Sequence, residues 1–130
     1  MHFLIPAFLA LALGVTTLTG DAAAASIEGS WAGGGTVRLK DGGVEKVRCR
    51  VKYEPGTGNT FVLYANCAHS NGTFQQSGRV VQRSSSQYTG RLYSEQYSVS
   101  GDVSIKVSGS LQTVTAVSPK GSATLTLRKQ

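Results

Sequence analysis

Beyond residue 25, apolar positions alternate with polar ones instead of recurring at helical spacing, and alternation is the mark of a half-buried strand. Trp31, Gly33, Gly35, Val37 and Leu39 share one parity, and Val47, Cys49, Val51 and Tyr53 form a second set. Phe61, Leu63, Ala65 and Cys67 form a third, followed by Tyr88, Gly90 and Leu92. Val99, Gly101, Val103, Ile105 and Val107 come next, then Ala123, Leu125 and Leu127. Turn-forming clusters at 41–43, 54–59, 69–72, 84–86, 108–110 and 118–121 separate the sets. No stretch reads as a helix. The pattern predicts an all-β chain of about eight strands, one roughly every 10–13 residues. A sandwich or an up-and-down antiparallel barrel would satisfy it, and the barrel is preferred because closure removes exposed strand edges. The segment 73–83, "TFQQSGRVVQR", has mixed parity and predicts a bulge near Gly78.

The first 25 residues break the pattern. Residues 3–16 are almost wholly apolar, short for a bilayer span but right for the core of a signal peptide. Ala23, Ala24 and Ala25 ahead of Ser26 fit a small-residue cleavage site. The reading is a signal peptide over 1–25 and one domain over 26–130, with periplasmic or secreted location. A membrane-tethering N-terminal helix is the alternative. No later segment is long and apolar enough to span a membrane as a helix.

Placing the chain outside the cytoplasm changes the meaning of its two cysteines. Cys49 and Cys67 read as one disulfide in an exported protein, or otherwise as two buried thiols. The single tryptophan, Trp31, shares its parity with Gly33 and Gly35. Trp31 is expected to point inward and plug one end of a barrel. Glycines on the same face would let the strand bend sharply at a corner.

Gly29-Ser30-Trp31 opening the first strand resembles the Gly-x-Trp signature of the calycins, the lipocalin and avidin superfamily of small barrels. The resemblance implies a basic residue on the last strand packed over the tryptophan, here Arg128 or Lys129. Within that superfamily, the layout of residues 49–67, "CRVKYEPGTGNTFVLYANC", is most similar to bacterial periplasmic metalloprotease inhibitors, which carry one disulfide. Those inhibitors enter a protease cleft with a free N-terminal trunk. Only Ser26 to Ser30 precede Trp31 here. The resemblance therefore supports the fold more than inhibition.

Candidate chemistry is sparse. His69 is the one histidine after residue 25, and it lies in a turn beside Ser70. A nucleophile triad would need it with Asp41 or Asp102, and an exposed turn residue is the simpler reading. One histidine and a paired disulfide do not make a metal site. Glu28, Glu45, Glu54 and Glu95 show no paired-carboxylate spacing. Asn71-Gly72-Thr73 is a glycosylation sequon. The chain reads as a non-enzyme with no catalytic residues, no metal and no cofactor.

Charge adds a feature. The whole chain has 13 Lys and Arg against 7 Asp and Glu, a formal +6. Arg38, Lys40, Lys46, Arg48, Arg50 and Lys52 alternate with apolar residues around the turn at 41–43. A period of two puts all six on the outer face of two adjacent strands. This face predicts an anionic docking partner, such as an exported acidic protein or an anionic envelope component, or else a solvated surface that aids solubility. Nucleic acid is a poorer fit, because only Tyr53 interleaves with these cations. Tyr88, Tyr93 and Tyr97 could line a barrel mouth. The leading function is an inhibitor-like or partner-docking barrel. The alternatives are small-ligand carriage inside the barrel and a structural role on anionic surfaces. Carriage would need a hollow interior, and the inward Val, Leu and Phe sets predict one that is largely filled.

Overall fold

A computed structural model describes residues 26–130. The segment 1–25, read above as a signal peptide, lies outside the described residues. Eight strands run in chain order: β1 Gly29–Leu39, β2 Val44–Pro55, β3 Thr60–His69, β4 Gly72–Gln82, β5 Gln87–Ser94, β6 Val99–Ser108, β7 Leu111–Ser118 and β8 Gly121–Lys129. Each pairs antiparallel with its chain neighbour, and β8 returns to pair with β1, so the sheet closes into an up-and-down barrel. The described residues contain no helix, hence none able to cross a membrane.

Alternation is what makes this barrel. The inward residues Val47, Cys49, Val51 and Tyr53 on β2 are buried, whereas the intervening cations are exposed. The same rhythm runs through Leu63, Ala65 and Cys67 on β3 and Val103, Ile105 and Val107 on β6. Burying one parity on every strand fixes the register, because a one-residue slip would turn each set outward.

The glycines on β1 have a specific job. Gly33 pairs with Leu127 and Gly35 with Leu125 across the β1–β8 seam. A Cβ on Gly35 would sit 1.9 Å from the Thr124 carbonyl oxygen, and one on Gly33 would sit 2.0 Å from that of Thr126. The two strands coil too closely there for any side chain.

The bulge expected near Gly78 is absent. Pairing runs without a skipped residue from Thr60↔Val81 to His69↔Gly72, and from Ser77↔Tyr93 to Gln82↔Tyr88. Gly78 instead allows a close approach, with the Arg91 carbonyl 2.0 Å from where its Cβ would lie. The parity of 73–83 looked mixed because a polar residue, Gln76, occupies an inward position between Phe74 and Val80.

The two ends of the barrel differ. One is packed solid by Trp31, Tyr53, Tyr88, Ile27, Ile105 and Leu127, all almost fully buried. Ile27 precedes β1 and folds back onto this end, where its carbonyl accepts a hydrogen bond from Trp31 Nε1 at 2.8 Å. Tyr53 Oη donates to Gln112 Oε1 inside the same core. Burial pushes the Tyr53 phenol well above the ordinary tyrosine range. Phe61 meets Tyr88 edge-to-face at 5.7 Å between ring centres. The other end is open, and that half corrects the expectation of a largely filled interior.

A half-hollow barrel and its candidate site

The open half holds a cavity of about 440 Å³. Its volume arises where inward positions carry small residues: Gly101 on β6, Ala116 on β7, and Gly121 and Ala123 on β8. Larger apolar side chains complete the wall, among them Val37, Leu39, Phe74, Leu92 and Leu125. Cys49 and Cys67 are direct cross-strand partners on β2 and β3 and form a disulfide that lines the cavity. A cavity of this size suits a small organic molecule.

Polar groups enter the lining at few points. Gln76 on β4 and Ser94 on β5 face the lumen. The β4–β5 pairing ends at Ser77↔Tyr93, which puts Gln76 and Ser94 side by side at the next position. Ser94 is 4% exposed, and its hydroxyl has no hydrogen-bond partner among the described residues. Toward the opening, His69 Nδ1 lies 3.3 Å from Glu45 Oε1 and also accepts the Asn71 backbone N–H at 3.2 Å. The imidazole proton decides which of these two partners Nδ1 takes. The His69 ring is 5.6 Å from that of Phe74, which is 6.4 Å from Tyr97. These three rings form one side of the mouth.

His69 is therefore not the exposed turn residue expected from its neighbours in sequence. It ends β3 with its side chain 15% exposed, paired with a glutamate. Asp102 lies elsewhere, bonded to Arg91 at 2.7 Å on the outer face. The three tyrosines separate. Tyr97 stands at the mouth, Tyr88 is buried in the closed end, and Tyr93 is exposed on the outer face of β5.

At the closed end, Lys129 Nζ lies 5.4 Å from the Trp31 ring centre and donates to the Ser26 carbonyl at 3.0 Å. Arg128 pairs through its backbone with Ala32 across the β1–β8 seam, but the cation over Trp31 is that of Lys129. Arg128 has the opposite parity and is exposed.

Arg38, Lys40, Lys46, Arg48, Arg50 and Lys52 all project to solvent. The pairing shows how the sheet tolerates them. Across β1, the β2 cations face Thr36, Gly34, Ala32 and Ser30. Across β3, Arg48, Arg50 and Lys52 face Ala68, Asn66 and Tyr64. No cation of the group sits directly opposite another, which is the arrangement that would cost most. Lys52 pairs with Glu54 at 3.2 Å.

Ser94, Gln76 and the His69–Glu45 pair were not anticipated as site residues. The signal for each was parity: a polar residue at an inward position of a strand otherwise apolar on that face.

No protein-family model matches the chain, and no curated protein does. Solved structures do. The chain is similar to the redesigned β-barrel mFAP1 bound to DFHBI, with a TM-score of 0.67 and 16% identity over 79% of this chain and 94% of that one. EF1p2_mFAP2b bound to DFHBI gives 0.68 and 15%, covering 80% and 94%. A fluorescence-activating β-barrel designed de novo gives 0.63 and 20%, covering 82% and 96%. At these identities the likeness is one of fold.

Proposed function

We propose that this protein is a non-enzymatic binding barrel that holds a small, mainly apolar molecule in its open half. The observation that carries the reading is the cavity of about 440 Å³, apolar along most of its wall, set above a densely packed closed end. Enclosure removes apolar ligand surface from water, which supplies most of the affinity, and a few polar groups set orientation. The designed barrels bound to DFHBI lend this reading support by analogy of fold. A calycin-like ancestry belongs to the same proposal, supported by Trp31 at the closed end with Lys129 across it.

The inhibitor-like version is weakened by the N-terminal segment. A trunk that enters a protease cleft must be free, whereas Ile27 is fully buried against the closed end. We place the protein in the periplasm or outside the cell, on the leader-like residues 3–16 and the Cys49–Cys67 bridge.

The test is a titration with a fluorescent apolar probe. Saturable binding at micromolar concentrations is expected, and Ala123→Trp, which puts an indole into the cavity, should weaken it sharply while leaving the fold intact by circular dichroism. Absence of binding to the unaltered protein rejects the reading.

A second reading rests on the basic face. Its exposed cations form a ladder along β2 that an anionic polymer or lipid surface would match. Retention on a sulfated resin that weakens steeply with salt, and is lost when the six residues become Ser or Thr, would support it. Retention equal to that of the substituted protein would reject it.

A further inference from the structure

The unpartnered Ser94 hydroxyl is the most informative atom of the cavity wall: the residue lines the lumen, but its Oγ is covered by neighbouring atoms and meets an occupant only after turning about χ1. Buried hydroxyls nearly always have a hydrogen-bond partner, and one without calls for an explanation. Ser94 lines an otherwise apolar wall, beside Gln76, the other lumen-facing polar residue on that side. Both side chains can donate: Ser94 through its O–H and Gln76 through its amide N–H. Both stand on β4 and β5, across the lumen from the small residues Ala123 and Gly121 of β8. The hydrogen-bonding part of an occupant would thus lie at one wall and its apolar body at the other.

We propose that the cavity selects a neutral, compact, mainly apolar molecule carrying a carbonyl oxygen, and that Ser94 and Gln76 donate to that oxygen. The proposal rests on the small-ligand reading and names the ligand class for it. Charge on the ligand is disfavoured beside Ser94 and Gln76, since neither β4 nor β5 contributes a charged side chain to the wall. Glu45, His69 and Lys120 line the cavity nearer its opening, on β2, β3 and the β7–β8 turn. A ligand bound by the mouth charges alone would ignore Ser94.

The test uses two probes of nearly equal shape, indane and 1-indanone, titrated into the full protein by calorimetry. The quantity read is the ratio of their dissociation constants. Ser94→Ala should shift that ratio about fivefold against the ketone, the effect of one net hydrogen bond, while indane binds as before. Gln76→Leu should shift it in the same direction. Ser94→Ala removes a hydroxyl without a partner, so its melting temperature should not fall, and this guards against a folding artefact. If both probes bind and neither variant changes the ratio, the carbonyl proposal is wrong and the small-ligand reading stands. If neither probe binds the unaltered protein, both fail together.

Discussion

Lys129 and Trp31, 98 residues apart in sequence, are direct partners across the β1–β8 pairing, and the lysine ammonium lies 5.4 Å from the indole centre. The same ammonium donates to the Ser26 carbonyl, so one side chain ties the last strand to the first strand and to the segment before it. Lys129→Met keeps the stem and removes the charge. It should cost about 1 kcal/mol in urea unfolding, since the site is partly exposed and the cation–π contact is modest. A loss indistinguishable from zero would mean the contact is geometric only.

The disulfide makes a larger contribution. Cys49 and Cys67 are separated by 18 positions, and a loop of that length gives about 3 kcal/mol on the chain-entropy model. Thermal unfolding of Cys49→Ala/Cys67→Ala should show a loss of that order. Because the bridge also lines the cavity, the same variant should alter probe affinity, a readout that a purely stabilising role would leave unchanged.

Gly35→Ala is expected to be among the most damaging small substitutions. Its methyl would fall 1.9 Å from a backbone carbonyl, with no flexible side chain to move aside. A loss of about 3 kcal/mol or more should appear in chemical denaturation. Gly43→Ala meets the Asp41 carboxylate at 3.2 Å, in an exposed turn. It should stay within about 0.5 kcal/mol of the unaltered protein.

Alkaline pH should unfold the closed end through Tyr53. Burial raises the phenol's pKa in the folded state above its unfolded value, which is about 10. The unfolded chain therefore loses this proton first. The stabilisation is complete below about pH 10 and is lost as pH climbs from there toward the folded value. Urea midpoints measured at rising pH should fall in that window. Tyr53→Phe should start lower, because Gln112 loses its phenol partner, and then fall less steeply.

The barrel was legible because alternation is a local signal. Six inward sets could be read directly, and their turns fell where Gly, Pro, Asn and Ser cluster. β7 was harder to read, since Gln112 points inward while Val117 is exposed, blurring the parity. The β5–β6 turn was silent for another reason. "EQYS", residues 95–98, has no glycine or proline, and Ser98 takes the positive φ of 51° itself. The cavity was illegible in principle from parity alone. Parity says which side chains point inward, not whether their summed volume fills the space. The glycines and alanines gathered at one end of β6, β7 and β8 decide that, and their gathering depends on register.

The one seam between distant strands has a consequence for how the barrel forms. Seven of the eight pairings join strands linked by a short turn, and only β1–β8 must bring together the two extremes of the domain. A chain that had formed the seven local pairings but not this one would be an open eight-stranded sheet with two bare edges, each able to recruit another chain. Kinetic partitioning between closure and aggregation should hinge on this pairing. The glycines that permit the seam, and the Trp31–Lys129 contact that fastens it, then govern yield during folding as much as stability afterwards.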